Sequence, residues 1–232
     1  MKIMTFNTQH CLNFIKREID FNIMADAIKA CGADVVALNE MRGAGKDPEY
    51  TAQTEKLSEL TGLEHFFFAR AINVGDLGPY GNAILSRFPI ESAEVVPIPD
   101  PIEKTGARMY ETRCVLKAKI AGGLTVLVTH FGLNPDEQKN AVNTVISCLE
   151  SERCVLMGDF NVTPDNSVLD PIKERMTDAS ELIEGEKFTF RSDDPDRKID
   201  YVFVSKDIKV LFAEIPAIVA SDHRPHTAEI EY

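Results

Sequence analysis

Eight polar side chains in this sequence could together bind a metal ion and transfer protons. Each stands at the end of, or directly beside, a short apolar run with the length of a buried strand. They comprise four carboxylates, two amides and two imidazoles: Glu40, Asp159, Asp200, Asp222, Asn7, Asn161, His130 and His223. Functional side chains often gather where rigid strands end at one rim of a sheet. We therefore expect these eight residues to form one site.

The chemistry of this set is that of hydrolysis assisted by a hard cation. Mg²⁺ and Mn²⁺ prefer oxygen ligands, keep several waters and bridge to substrate phosphate. Crowded carboxylates repel one another, so a cation is their natural counter-charge. Imidazoles can donate hydrogen bonds to the charge that develops on phosphoryl oxygens. The sequence contains no G-x-x-x-x-G-K-[ST] phosphate loop, no G-x-S-x-G elbow and no zinc-type spacing of cysteines and histidines.

Each of these polar clusters also has a purely structural explanation when it is considered alone. Asn7 could be a turn residue, Glu40 a solvated charge and His130 a hydrogen-bonded structural histidine. The segment 158–161 could form an Asx turn, and 221–223 could cap a helix. A structural explanation must nevertheless account for all six strand ends in one chain. The functional interpretation accounts for them together.

The hydrophobic pattern predicts the elements that must position these residues. Short apolar or alternating runs predict strands at 3–6, 35–38, 65–71, 83–86, 90–97, 110–120, 124–129, 154–157, 201–204, 210–215 and 227–230. Helical spacing predicts helices at 19–30, 51–60 and 135–149, and a mixture of turn and helix at 165–176. Glycines and a proline predict a surface loop at 73–80. Two mixed sheets packed face to face, with helices outside, would accommodate this order in one α/β domain over residues 1–232.

The composition limits the classes of protein that this chain can belong to. Its 232 residues are 44% hydrophobic and 27% charged, which is ordinary for a folded globular protein. The net charge of −12 disfavours broad contact with duplex nucleic acid or anionic membranes, but it allows a phosphate substrate that a metal ion holds. Five cysteines without a C-x-x-C pair indicate reduced thiols. With no recognisable signal peptide or membrane span, we predict a cytoplasmic protein, with a monomer as the default.

The order of the motifs resembles the endonuclease/exonuclease/phosphatase superfamily, which has the fold of deoxyribonuclease I. The motifs occupy segments 6–7, 38–40, 80–89, 129–130, 158–161, 199–201 and 221–225, so the resemblance covers nearly the whole chain. The last three are the most specific: Gly158-Asp159-Phe160-Asn161, Ile199-Asp200-Tyr201 and Ser221-Asp222-His223-Arg224-Pro225. The resemblance implies a four-layer α-β-β-α sandwich of two mixed sheets. It also implies a phosphoesterase that depends on Mg²⁺ or Mn²⁺.

The resemblance further implies a role for each site residue. Asn7 and Glu40 would hold the principal metal, with Asp222 close to it. Asp159 and Asn161 would position or activate the attacking water and contact the phosphate, although Asp159 could instead bind a second metal.

The two histidines complete these implied roles. His223 would donate to the scissile phosphate, oriented by Asp200. His130 matches a position that is histidine in the deoxyribonuclease, sphingomyelinase and phosphatase branches of the family and usually tyrosine in the abasic-endonuclease branch.

Two further residues could contact the substrate, and one position departs from the family pattern. Arg113 lies in a strand where family members often place a phosphate-contacting arginine, but a surface ion pair is equally compatible with the sequence. Asn82 could line the cleft or occupy a turn. The family usually has glutamine before the metal-binding glutamate, whereas this chain has Asn39.

Three functions remain open from the sequence alone. The first is a metal-dependent phosphoesterase that hydrolyses a small-molecule or lipid-derived ester. The second is a nuclease with the same mechanism, disfavoured by the net charge, the absence of tryptophan and short loops. The third is an inactive scaffold that binds a protein partner, which would be expected to have lost several site residues.

Overall fold

The computed structural model describes residues 1–232 as two six-stranded sheets with helices on their outer faces. The strands of the first sheet are β1 (Lys2–Asn7), β2 (Val35–Arg42), β3 (His65–Val74), β4 (Gly78–Ser86), β11 (Lys209–Glu214) and β12 (His226–Glu231). Those of the second are β5 (Ile90–Pro97), β6 (Cys114–Ile120), β7 (Leu124–His130), β8 (Cys154–Asp159), β9 (Met176–Asp178) and β10 (Asp200–Ser205). The α-helices are α1 (Phe21–Cys31), α2 (Gln53–Thr61), α3 (Pro135–Cys148) and α4 (Asp170–Lys173).

Both sheets are mixed. The strand order is β11-β12-β1-β2-β4-β3 in the first sheet and β5-β6-β7-β8-β10-β9 in the second. Only the β1–β2 and β7–β8 pairs are parallel. This arrangement is the predicted four-layer α-β-β-α sandwich, which is thereby confirmed. None of the helices has the length and apolar composition needed to cross a bilayer.

The inner strands are apolar without interruption because both of their faces are buried. In β2, Val35 and Ala37 face the second sheet, whereas Val36 and Leu38 pack against α1 and α2. On the other side of the molecule, α3 packs Val142 and Val145 against the outer face of the second sheet. Each such aliphatic side chain contributes about 1.5–3 kcal/mol when it is fully removed from water. These three apolar layers fix the sheets rigidly enough to hold side chains at their rim.

The helix boundaries follow from local signals. Asp20 caps α1 by accepting hydrogen bonds from the backbone nitrogens of Asn22 and Ile23, and Gly32 ends it in the left-handed conformation. The helix predicted at 19–30 therefore begins at Phe21, directly after the Asp20 cap, and ends at Cys31. Segment 165–176 contains a short 3₁₀ turn, Ser167–Leu169, followed by α4, in agreement with the mixed prediction.

Two predicted segments differ in the structure. Residues 73–80, predicted as a loop, form the tip of the β3–β4 hairpin, in which Val74 pairs with Gly78 and Gly75 takes a positive φ of 52°. Because Gly75 adopts the left-handed conformation at little cost, the chain reverses within a short turn. The pairing of β3 with β4 therefore continues up to that turn. Residues 110–113, predicted as strand, instead contact the start of α3: Tyr110 donates to Asp136, and the Glu111 backbone donates to Glu137.

The carboxyl ends of the two parallel pairs meet between the sheets. Asn7, at the end of β1, forms the last pair of the β1–β2 ladder with Asn39, and His130 pairs with Asp159 at the ends of β7 and β8. β10 starts at the same rim, where Asp200 lies opposite Asp159. The Asn39 side chain donates to the Thr129 carbonyl oxygen at 2.9 Å, and this hydrogen bond joins the two sheets at the rim.

Candidate active site

The structure brings the polar strand ends into one cluster centred on Asp159. The Nδ2 atom of Asn7 donates to Asp159 at 3.0 Å and to Glu40 at 3.1 Å. The Nε2 atoms of His130 and His223 lie 3.5 Å and 3.7 Å from the same Asp159 oxygen, Oδ2. Asp222, Asn161 and Glu40 line the cleft above this cluster.

Glu40 is directed into the cleft by an irregularity in β2. The pairing of β2 with β4 shifts register between Leu38 and Met41, and Glu40 has a positive φ of 61°. Bulges of this kind re-aim a side chain next to functional sites, and a non-glycine residue in the left-handed region carries backbone strain. The residue that the sequence predicts as a metal ligand therefore lies in a strained backbone conformation.

A buried glutamine holds this strained segment in place. Gln53, the first residue of α2, accepts a hydrogen bond from the Arg42 backbone nitrogen at 2.9 Å. Its Nε2 atom donates to the His10 carbonyl oxygen at 2.9 Å. Residues Gln9–Cys11 also have positive φ values, and only Thr8 separates them from Asn7. Gln53 thus connects the two strained segments that carry Asn7 and Glu40.

The amide of Asn7 has a defined orientation. Its Oδ1 atom accepts a hydrogen bond from the Gln9 backbone nitrogen at 3.0 Å, which turns its Nδ2 atom toward Glu40 and Asp159. The amide nitrogen, and not the oxygen, therefore faces the two carboxylates in this structure.

Asp159 is a buried carboxylate with a strongly altered acidity. Burial and the negative charge of Asp200 raise its pKa to about 7, against the lowering effects of His223 and of the hydrogen bonds from Asn161 and Asn7. Its Oδ1 atom accepts from the Asn161 backbone nitrogen at 2.9 Å. A carboxyl whose pKa lies near neutrality is suited to accept and release a proton at physiological pH.

His223 is paired with a buried acid. Its Nδ1 atom lies 2.8 Å from Oδ2 of Asp200, and its ring packs against Phe190. Burial alone would lower the pKa of His223, but the carboxylates of Asp200 and Asp159 outweigh it and raise the pKa to about 10. His223 is therefore held as an imidazolium that can donate from Nε2.

His130 has the opposite kind of neighbour. Its Nδ1 atom lies 3.0 Å from NH1 of Arg113, whose NH2 forms an ion pair with Glu111 at 2.9 Å. Burial lowers the pKa of His130 well below its usual range, and the positive charges of Arg113 and His223 lower it further. Arg113 lines the cleft, but its guanidinium is already engaged by protein groups.

Asn82 lies below the cleft and does not line it. Its Nδ2 atom donates to the Cys114 carbonyl oxygen at 3.0 Å, and its Oδ1 atom accepts from Asn39 at 2.8 Å. Both of its polar groups thus link β4 to neighbouring backbone and side chains, and the residue is almost fully buried. This position accounts for Asn82 without a substrate contact.

The cleft has a volume of about 730 Å³ and contains residues that sequence reasoning missed. Tyr80, Arg108, Phe190 and Arg197 belong to its lining. Tyr80 starts the 80–89 motif and could have been considered on that basis, whereas the two arginines lie in irregular segments without a pattern. A neighbouring cavity of about 1000 Å³ shares Thr163 and Arg197 with the cleft, and Met176 and Phe188 are its only large apolar side chains.

The donor set of the cleft fits a hard divalent cation. Glu40 and Asp222 line the cleft together with Asp159, burial raises the pKa of Glu40, and the charge of Asp222 raises it as well. Crowded carboxylates are unfavourable without a counter-charge, and their oxygens are the ligands that Mg²⁺ and Mn²⁺ prefer. Asp159, Asp200 and His223 form another group of potential donors, whose ligand atoms all lie within 4.8 Å of one another. In this group Nδ1 of His223 is already hydrogen-bonded to Asp200.

The two-sheet sandwich, with this cluster at the rim between the sheets, defines a deoxyribonuclease I-like fold. The family model described as "Endonuclease/Exonuclease/phosphatase family" matches residues 4–223. The chain therefore belongs to this family, whose members are generally hydrolases of phosphate esters and include phosphatases and nucleases. The relationship inferred from the motifs is confirmed.

Similar proteins include a curated relative and many solved structures. The chain is 28% identical over 171 residues to the uncharacterized protein YbhP of Escherichia coli K12. The matched region covers 69% of this chain and only 66% of the length of YbhP. An endonuclease/exonuclease/phosphatase structure from Beutenbergia cavernae superposes with a TM-score of 0.82 and 23% identity, over 100% of this chain and 71% of that one. A mannosyl-6-phosphatase of Bacteroides thetaiotaomicron gives 0.77 at 14% identity, with both chains fully covered. At these identities the structural neighbours establish the fold.

Proposed function

We propose that this protein is a divalent-metal-dependent hydrolase that cleaves a small, polar phosphate ester. The observation that carries the proposal is the position of Asp159, a buried carboxyl with its pKa near 7, between two imidazole Nε2 atoms at the floor of the cleft. This geometry combines a group that can accept a proton from water with two groups that can donate to a phosphoryl oxygen. The proposal treats residues 1–232 as one domain of a cytoplasmic, monomeric enzyme.

In this mechanism Glu40 and Asp222 would hold the cation, Mg²⁺ or Mn²⁺, with Asn7 beside them. When bound, the cation would polarise the phosphoryl group and offset the charge on the leaving oxygen. Asp159 orients water and takes its proton as the water oxygen attacks phosphorus, and the bond from phosphorus to the leaving oxygen breaks. His130 and His223 donate to the phosphoryl oxygens, Asp200 orients His223, and Asn161 contacts the phosphate.

The lining of the site favours a polar substrate over a lipid. The cleft itself is lined mainly by charged and polar side chains, among them Arg108, Glu111 and Asn166, and these offer hydrogen-bond partners to a polar substrate. A sugar phosphate or similar ester matches this lining better, and one of the fold neighbours is named as a mannosyl-6-phosphatase. We therefore favour the small-molecule alternative over the lipid-derived one.

A nuclease of the same mechanism is the second candidate. Arg108 and Arg197 lie at the cleft and could contact a nucleic-acid backbone. The net charge of −12 opposes the broad phosphate neutralisation that tight duplex binding requires. An inactive scaffold is the least favoured function because all eight predicted site residues are present.

The test is a substrate screen with the purified protein in Mg²⁺ and in Mn²⁺. The panel comprises p-nitrophenyl phosphate, bis-p-nitrophenyl phosphate, hexose phosphates, sphingomyelin and plasmid DNA. We expect hydrolysis of one or more small esters that EDTA abolishes and added metal restores. Asp159→Asn and His223→Ala should each lower turnover by about 100-fold or more while the fold is retained.

The outcomes of this screen separate the candidates. Rapid plasmid nicking at low protein concentration, with small esters untouched, would favour the nuclease. Cleavage restricted to sphingomyelin would favour the lipid alternative. Wild-type rates in both variants would contradict the site assignment.

A further inference from the structure

We propose that Arg113 is a positioning residue that fixes the tautomer of His130, so that the ring presents an N–H group from Nε2 to the reacting phosphate. The inference rests on the proposed function and refines one part of its site. It assigns Arg113 a role different from the direct phosphate contact that the sequence suggests.

The hydrogen-bonding chemistry of arginine determines the tautomer. A guanidinium has five N–H donors and no acceptor. Because NH1 of Arg113 lies 3.0 Å from Nδ1 of His130, that ring nitrogen must accept, and the proton of a neutral imidazole must then be on Nε2. Nε2 is the atom that lies 3.5 Å from Oδ2 of Asp159. The pairing thus directs the only N–H group of the ring toward the centre of the site.

Arg113 is itself held in position. Only 10% of its side-chain surface is exposed, and its NH2 atom is fixed by Glu111 at 2.9 Å. The Glu111 backbone nitrogen donates to Glu137 in the first turn of α3 at 3.1 Å. A guanidinium with two protein partners and little exposure is poorly available for a substrate phosphate. It is well placed to hold a neighbouring ring.

The two histidines present the same donor through opposite neighbours. At His223, Nδ1 faces a carboxylate of Asp200, which can only accept, so that nitrogen carries a proton. At His130, Nδ1 faces Arg113, which can only donate. Both rings then direct an Nε2 proton toward Asp159, one as a charged imidazolium and the other as a neutral imidazole. The other tautomer of His130 would direct a lone pair at the Asp159 carboxylate.

The experiment reads the tautomer directly by long-range ¹H–¹⁵N NMR correlations of histidine-labelled protein without added metal. In the wild type we expect the His130 pattern of a protonated Nε2 and an unprotonated Nδ1. Arg113→Met removes the donor, so this pattern should be lost or mixed with the other tautomer. Arg113→Lys retains a donor and should preserve the pattern. Arg87→Met, at an arginine that is 63% exposed and pairs with Asp34, is the control for charge removal.

Kinetics on the best ester from the screen form the second arm. For Arg113→Met we expect kcat to fall at least 10-fold with KM within about twofold, and Arg113→Lys should recover most of the loss. An unchanged tautomer in Arg113→Met would overturn the proposal, as would a rise in KM with unchanged kcat, which indicates direct substrate binding. If no ester is hydrolysed, the proposed function fails, but the NMR arm still tests the role of Arg113.

Discussion

The side-chain oxygen of Asn39 accepts a hydrogen bond from the backbone nitrogen of Asp159 at 3.0 Å, across the interface between the two sheets. The Nδ2 atom of Asn39 donates to Thr129 and to Asn82, at 2.9 Å and 2.8 Å. Asn39 is fully buried, so these three bonds have no competition from water. The amide of Asn39, in the first sheet, thus holds the backbone of Asp159, the central carboxylate of the site, in the second sheet.

Replacing Asn39 should therefore affect stability and activity together. Asn39→Leu would leave one buried donor and two buried acceptors without partners, and we expect a loss of about 3 kcal/mol or more. Asn39→Asp would place a carboxylate against two carbonyl oxygens and should be at least as harmful. Urea unfolding and ester hydrolysis measure the two effects. Asn143→Asp, on the exposed face of α3, is the matched control. Equal stability of Asn39→Leu and wild type would contradict this role.

The sequence was sufficient to predict most of this architecture because its signals are local. Inner strands that are buried on both faces appear as short apolar runs, and their polar ends mark the rim. Glu40, His130, Asp159 and His223 could be located in this way. The order of the motifs then indicated a four-layer sandwich.

What the sequence could not predict depends on contacts between distant segments. The left-handed conformation of Glu40 has no local signal, because glutamate is not a residue that favours it. Asn39 and Asn82 form a bridge between sheets, and that bridge arises only when β2, β4 and β7 pack together. The pairing of Arg113, directly before β6, with His130, at the end of β7, likewise depends on how these two strands pair.

Gln53 should control the geometry of the metal-binding side of the cleft. Gln53→Glu keeps an acceptor for Arg42 but cannot donate to the His10 carbonyl oxygen, so the segment after Asn7 should loosen. Outer hydrogen bonds of this type typically contribute 10- to 100-fold to metal affinity. We expect the Mg²⁺ concentration for half-maximal activity to rise by about 10-fold or more.

The control for this measurement is Glu55→Gln, an exposed position on the same helix. It should leave the Mg²⁺ dependence unchanged. If Gln53→Glu lowers thermal stability without altering that dependence, Gln53 supports the fold alone.

Asp200 should act through His223. Asp200→Asn replaces the acceptor of the Nδ1 proton by an amide and removes the charge that favours the imidazolium. We expect kcat to fall by about 100-fold or more with a small change in KM, because the lost interaction acts mainly in the transition state. Steady-state kinetics on the ester from the screen provide the measurement. Asp193→Asn, in the nearby loop, is the control, and a fall of similar size there would show a general charge effect.

His226 provides a stability prediction away from the cleft. It is fully buried, its ring lies against the Asp200 backbone without a well-formed hydrogen bond, and the charges of Lys198 and Asp178 are close to it. Burial, aided by Lys198 and opposed by Asp178 and Asp200, lowers the pKa of His226 from 6.5 to about 4. Between these values the unfolded chain binds a proton that the folded protein does not, so stability falls as the pH falls. This residue should account for about 3 kcal/mol of lost stability between about pH 7 and pH 4.

His226→Leu isolates this contribution because other groups titrate over the same range. Since the ring has no well-formed hydrogen bond, the replacement removes only a weak contact with the Asp200 backbone and leaves an uncharged side chain at the site. The difference in unfolding free energy between the variant and the wild type should therefore move in favour of the variant as the pH falls from about 7 to 4, and it should be constant above about pH 7. Urea unfolding across this range measures it. A difference that is independent of pH would mean that His226 is not held neutral in the folded protein.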